Sequence, residues 1–276
     1  MERIKKALEL ARQARGQGHT ATKPLEPPQT PALAQPPVDF QARTVPVPLG
    51  VLEQNRVLTG LKDRTLTGAY KLLRTQVLQR MQQNGWSTLA VTGPREKIGK
   101  TLTAVNLAVS LAGSVNYTVF LVDLDLRRPG LHALFGYQPQ YGIGDHLFRS
   151  VPLGDIAFSP GIERLTILPE IKPIEHSSEV LSSPAMRQFV NSLKGRNSTR
   201  IVVFDLPPLL AGDDVLAFSP LVDALLLVIE DGKTRREDLS RLLELVKDVS
   251  ILGTVLNKST HVSESDYAYY RSRRAS

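Results

Sequence analysis

A short polar run, Thr92-Gly93-Pro94-Arg95-Glu96-Lys97-Ile98-Gly99-Lys100-Thr101, separates a strand-like apolar stretch from an amphipathic one. A loop placed between a strand and a helix can bind phosphate. Its backbone N–H groups and the helix N-terminus face the anion, Lys100 reaches the outer phosphates, and the Thr101 hydroxyl can hold Mg²⁺. Arg95 and Lys97 add positive charge, so the candidate nucleotide-binding set is Arg95, Lys97, Ile98, Gly99, Lys100, Thr101 and Leu102. The spacing departs from the usual pattern. A glycine is expected five residues before Gly99, where this chain has Pro94, and Gly93 comes one residue too early. Taken alone, the segment is equally compatible with an ordinary strand–turn–helix junction.

Two acidic segments narrow the choice. Leu121-Val122-Asp123-Leu124-Asp125-Leu126-Arg127-Arg128-Pro129 ends an apolar run with two carboxylates, and Ile201-Val202-Val203-Phe204-Asp205 ends another before Pro207-Pro208. Strand alternation puts Asp123 and Asp125 on one side if the strand continues that far, and buried acids without a cation are costly. In open α/β sheets, ligands bind at the carboxyl ends of the strands, and all three segments deliver their polar groups there.

The elements that must position these groups alternate regularly. Apolar runs at 87–92, 118–123, 165–168, 201–205, 224–229 and 251–257 read as strands. They are apolar on both faces, as in a parallel sheet covered on each side. Helical patterns lie between them. One carries Tyr70, Leu73, Val77 and Met81, with Thr67 as its cap and Gly85 as its end. Another runs from about Lys100 to Ala112, and a third starts at Ser183-Pro184. In a fourth, Thr234 and Glu237 have the spacing of a capping box. The fold class that follows is α/β, a doubly wound, mostly parallel sheet with helices on both faces.

Outside this core the composition changes. Residues 1–16 read as an amphipathic helix, with Ile4, Ala7, Leu8 and Ala11 on one stripe among basic residues, either solvated or docking to a partner or an anionic surface. Residues 17–50 read as a proline-rich linker, with eight prolines between Gln17 and Pro48. The folded domain is expected over 51–258, and 259–276 is a basic tail with Tyr267, Tyr269 and Tyr270 beside Arg271, Arg273 and Arg274. The absence of cysteine excludes disulfides, thiolate metal sites and a cysteine nucleophile. No apolar run approaches the ~18 residues of a membrane span. The net charge of +7 suits nucleic acid, anionic lipid or phosphorylated ligands and selects none of them.

With these motifs in place, the chain resembles the bacterial tyrosine autokinase family, the BY-kinases of the cytoplasmic CpsD/CapB type. That family is a branch of the P-loop NTPases close to the MinD/ParA ATPases. The resemblance runs from about Leu52 to Asn257. It is carried by residues 121–136 as a second acidic motif, 205–208 as a Walker B motif, and the segments 179–186 and 253–257. It implies ATP and Mg²⁺ as cofactors and phosphoryl transfer to tyrosines of a tail, with Tyr267, Tyr269 and Tyr270 as acceptors. It also implies regulation of exopolysaccharide or capsule polymerisation and export. Lys100, Asp123 and Asp125 would be catalytic, with Asp123 taking the tyrosine proton or orienting the nucleophile. Thr101, Asp125 and Asp205 would hold the metal, and Asn257 would contact adenine.

The implied partner is a membrane-spanning polysaccharide co-polymerase of the chain-length-determinant type. The resemblance further implies a homo-oligomer, no nucleic acid, and a cytoplasmic location peripheral to the inner membrane. Where the family carries an acid and two arginines on its oligomerisation helix, this chain has Gly68, Lys71 and Arg74. Two other readings stay open: a non-catalytic or weakly nucleotide-binding regulatory subunit of the same export system, and a MinD/ParA-like dimerising ATPase.

Overall fold

In the computed structural model, which describes residues 40–61, 63–194 and 199–259, strand parity sorts the core into two layers. Strands β1 (Arg43–Thr44), β2 (Thr88–Thr92), β3 (Thr118–Asp123), β4 (Phe158–Ser159), β5 (Leu165–Leu168), β6 (Arg200–Asp205), β7 (Ala224–Glu230) and β8 (Ile251–Asn257) form one sheet. Its order is β1-β4-β5-β3-β6-β2-β7-β8. Every pair is parallel except β4–β5. Leu89, Val91, Val119, Leu121, Ile201 and Val203 pack on one face, while Ala90, Phe120, Val122, Val202 and Phe204 pack on the other. Both faces are dry, which is why these strands read as unbroken apolar runs.

Nine α-helices lie among the described residues: α1 (Leu49–Gln54), α2 (Arg64–Asn84), α3 (Lys100–Ala112), α4 (Ile143–Arg149), α5 (Leu153–Ile156), α6 (Ser177–Ser182), α7 (Pro184–Leu193), α8 (Asp214–Phe218) and α9 (Arg236–Leu245). Helices α2 and α3 cover the first face through Val77, Met81, Ala104, Leu107 and Leu111. Helices α7 and α9 cover the second through Met186, Phe189, Val190 and Leu242. The Ser183 hydroxyl caps α7 by accepting from the Met186 N–H, with Pro184 at its first position. Gly85, at φ +67°, ends α2.

Three local expectations need correction. The cap of α2 is Asp63, whose carboxylate accepts from the N–H groups of Thr65 and Leu66, while the Thr67 hydroxyl donates back to the Asp63 carbonyl. A carboxylate that satisfies two free N–H groups wins the start of the helix. The Thr234 capping box does not form. Its hydroxyl instead accepts from the Glu230 N–H and closes the turn after β7, and the cap position passes to Arg235.

The linker expected to reach Gly50 does not extend over residues 40–50. The Phe40 ring stands 5.7 Å from that of Phe120, Arg43–Thr44 pair with β4, and Val45 and Val47 pack on the core. Pro46 and Pro48 therefore belong to the domain. The expected helix over 1–16, the linker before Phe40 and the tail beyond Ser259 lie outside the described residues.

Candidate active site

Adjacent parallel strands β3 and β6 end in register, with Asp123 opposite Asp205. Both carboxylates are 1% exposed. Burial raises both, and their mutual repulsion raises Asp123 further, well above the ordinary carboxylate range. Asp205 is pushed up to about 7, with the Thr101 hydroxyl and the Lys100 ammonium pulling the other way.

The two acids differ in their partners. Asp123 Oδ2 accepts from the N–H groups of Gly130 and Leu131 at 3.1 and 3.0 Å, and its Oδ1 accepts from the Asp125 N–H at 3.2 Å. It holds the 123–131 loop in place. Asp205 Oδ1 is buried and has no hydrogen-bond partner among the described residues. An orphaned buried carboxylate oxygen is expensive, and a hard cation is the group that would satisfy it.

The phosphate-loop candidate runs from the end of β2 into α3. Gly93 lets the loop pass close to β7, since a Cβ there would lie 2.3 Å from the Val228 carbonyl oxygen. Lys97 and Gly99 take left-handed φ values of +61° and +96°, and Ile98 is buried in the core. At the start of α3, Lys100 is buried to 7% exposure.

Beside this turn lies a cleft of about 410 Å³ lined by Glu96, Lys97, Lys100, Thr101, Asp125 and Arg128, with Arg127, Pro207, Pro208, Ala211 and Asp214 completing its wall. Asp125 is past the strand, which ends at Asp123. It enters the cleft from the following turn, where its Oδ1 accepts from the Arg128 N–H at 3.3 Å. Burial raises Asp125, with the Lys100 ammonium opposing.

Of the sequence-predicted residues, Lys97, Lys100, Thr101 and Asp125 meet in this cleft, and Asp205 lies behind Thr101 and Lys100. Asp123 does not line the cleft. Neither does Arg95, which is turned to the other side of the loop, where its Nε and Nη2 pair with Asp238 at 2.6 and 2.8 Å. Leu102 is also absent from the lining, and Asn257 donates from Nδ2 to the Ile98 carbonyl at 2.8 Å. Tyr267, Tyr269 and Tyr270 are outside the described residues.

Sequence reasoning missed the opposite wall. Arg127 donates to the Ser177 hydroxyl at 2.9 Å and pairs with buried Asp214 at 2.8 Å. Arg128 pairs with Glu96 across the cleft mouth. The doubled arginine after the acids was a signal for these contacts, but the positions of Ser177 and Asp214 depend on distant elements.

Thr101 and Asp125 offer oxygens to a cation here, with Asp205 behind them, while the other acids of the lining, Glu96 and Asp214, are paired with Arg128 and Arg127; among the described residues no group of three or more His, Asp or Glu converges on one point. That set suits a magnesium ion that keeps waters and phosphate oxygens as its other ligands.

The family model of the CobQ/CobB/MinD/ParA nucleotide binding domain matches residues 89–270, which contain the loop, both acidic strand ends and all of the sheet but β1 and the first residue of β2. The chain belongs to this nucleotide-binding family. Relatives within reach of the family fold include the tyrosine-protein kinase YwqD of Bacillus subtilis strain 168, 26% identical over 79% of this chain and 92% of the relative. The succinoglycan biosynthesis transport protein ExoP of Rhizobium meliloti strain 1021 is 29% identical over 74% of this chain, which matches only 26% of ExoP. The kinase domain of the Escherichia coli tyrosine kinase ETK superposes with a TM-score of 0.67 at 25% identity, covering 81% of this chain and 86% of that domain.

Proposed function

We propose that this chain is an ATP-dependent protein-tyrosine autokinase that regulates polymerisation and export of an exopolysaccharide or capsule. The observation that carries this reading is one cleft in which a helix N-terminus, a buried lysine, a threonine hydroxyl and Asp125 meet in front of the orphaned Asp205 oxygen. Phosphoryl transfer needs such positioning and charge neutralisation more than covalent chemistry. The names of the relatives supply the acceptor class and the export system.

In this reading Lys100 binds the outer phosphates of ATP, and Thr101, Asp125 and Asp205 hold Mg²⁺. The ion would supply neutralisation of phosphate charge. Asp123, with both oxygens taken by backbone N–H groups, acts as a positioning residue for the turn that carries Asp125, Arg127 and Arg128. The proton of the incoming tyrosine hydroxyl then falls to Asp125, which lines the cleft where Asp123 does not and would hold the ion through a water. The acceptors are Tyr267, Tyr269 and Tyr270. The partner is a membrane-spanning co-polymerase that holds the chain at the inner membrane. The short match within the longer ExoP supports this, because ExoP carries the matching region inside a larger transport protein. Among the described residues no helix is long and apolar enough to cross a membrane.

The test is incubation of the full chain with Mg-ATP, with and without the partner's cytoplasmic segment, followed by mass spectrometry. Phosphotyrosine at 267, 269 or 270 that disappears in the Lys100→Met variant is expected. Nucleotide binding without phosphotyrosine under either condition would replace the kinase with the regulatory-subunit reading.

A further inference from the structure

The phosphate loop has Glu96, Lys97 and Ile98 where glycines usually let such a loop fold back on itself. Lys97 sits at φ +61° in a region that favours glycine. Two side chains from the end of β8 hold it there. Asn257 Nδ2 donates to the Ile98 carbonyl at 2.8 Å, and Lys258 Nζ donates to the Lys97 carbonyl at 2.6 Å. Asn257 is itself fixed, paired in register with Glu230 of β7, and its carbonyl accepts from the Asp231 N–H at 3.0 Å. Lys258 is fixed by its ion pair with Glu230 at 3.2 Å.

The geometry of the peptide unit turns these contacts into a function. In a trans peptide the C=O of one residue and the N–H of the next point in opposite directions. The absence of cis bonds among the described residues makes this apply at 97–98 and 98–99. Two successive carbonyls drawn toward β8 therefore aim the N–H groups of Ile98 and Gly99 away from β8. Consecutive N–H groups presented to one side form an anion-binding concavity. The residues on either side of these amides, Glu96 and Lys97 before them and Lys100 and Thr101 after them, line the cleft, whereas Ile98, Gly99 and the residues of β8 do not. The fit also leaves no room at residue 99, where a Cβ would lie 2.2 Å from Asn257 Nδ2.

We infer that Asn257 and Lys258 are positioning residues of the phosphate loop, replacing by side-chain hydrogen bonds the shape that glycines supply elsewhere. The inference rests on the reading of this loop as a binder of nucleoside phosphates. It changes the role of Asn257 from an adenine contact to a support of the loop backbone, and it gives Lys258 a role.

The test compares ATP with inorganic tripolyphosphate, which has the phosphates and no base, each titrated with Mg²⁺ into the full chain, alongside hydrogen exchange of the loop amides. Asn257→Ala and Lys258→Met should each weaken both ligands alike, by about fivefold for one lost hydrogen bond, and should speed exchange at residues 97–101. Asn257→Asp, which keeps the size and replaces the donor with an acceptor, should do the same and covers the case in which the alanine variant folds poorly. Lys97→Gly added to Lys258→Met should restore most of the affinity, because glycine adopts the left-handed conformation unaided.

A loss confined to ATP would return Asn257 to the adenine. A loss at Lys258 without rescue by Lys97→Gly would reduce that residue to a surface charge. Unchanged loop exchange in the variants would overturn the inference. A wild-type chain that binds neither ligand would instead fail the nucleotide reading, and loop exchange would still decide whether the two side chains hold the loop.

Discussion

The acidic strand ends and the phosphate loop are neighbours but are built in different ways. Asp123 and Asp205 owe their places to register. Two long parallel strands in the middle of the sheet end together, and both carboxylates are buried with them. The loop owes its shape to attachments: an Ile98 side chain sunk in the core, a Gly93 that clears β7, and two donors from β8. A site made by register resists substitution at its periphery and stores electrostatic cost. A site made by attachments carries its cost in the backbone, at Lys97, and is open to adjustment from outside.

The residue between the two regions should give the largest effect. Lys100 begins α3, faces the cleft and draws down both Asp125 and Asp205. Lys100→Met should lower affinity for Mg-ATP by about 100-fold or more, the scale of losing a buried donor aimed at phosphate. Calorimetric titration measures it, and a change below tenfold would remove the lysine from the phosphate site.

An intermediate effect should come from the acid pair. Asp205 is raised from 3.8 to about 7, so the folded chain holds a proton that the unfolded chain releases. Stability from that proton is fully present below the unfolded value and is lost as pH rises through about 7. Asp205→Asn should therefore raise the melting temperature without Mg²⁺ or nucleotide, on the order of 5 °C at about pH 8, with the gain vanishing near pH 4. The same variant should lose the extra stability that Mg-ATP gives the wild type. A gain independent of pH would show that charge burial is not its source.

The smallest effect should come from an attachment remote from the anion. Arg95 is exposed and pairs with Asp238 on the flank of the loop facing away from the cleft. Arg95→Gln should leave Mg-ATP affinity within about twofold, as for exposed ion pairs in general. A tenfold loss would place the guanidinium on the nucleotide.

The same division explains how much was legible in the sequence. Long strands buried on both faces declare themselves as apolar runs, so the central strands and the two acids at their ends were found within a residue of their observed bounds. The expected alternation of Asp123 and Asp125 did not hold, because β3 ends at the first of them and a turn delivers the second. Short elements were not legible. Two residues of β1 pair only because β4 lies beside them, and the prolines that follow suggested a linker. Nor could spacing show that Ser177 and Asp214 brace Arg127, or that Asn257 and Lys258 hold a loop some 160 positions earlier, as the separations of 159 and 161 residues record. Such partners are set by tertiary packing, where propensity and periodicity carry no information.

The strand order also fixes where the chain enters and leaves the domain. Strands β1 and β8 are the two edges of the sheet, and with strands about 4.8 Å apart they stand roughly 30 Å from one another. Among the described residues, the chain enters the sheet at one edge through Arg43–Thr44 and leaves it at the other through Asn257, beside the loop. The first and last strands of the described residues are thus held apart by the full width of the sheet, which acts as a strut between them.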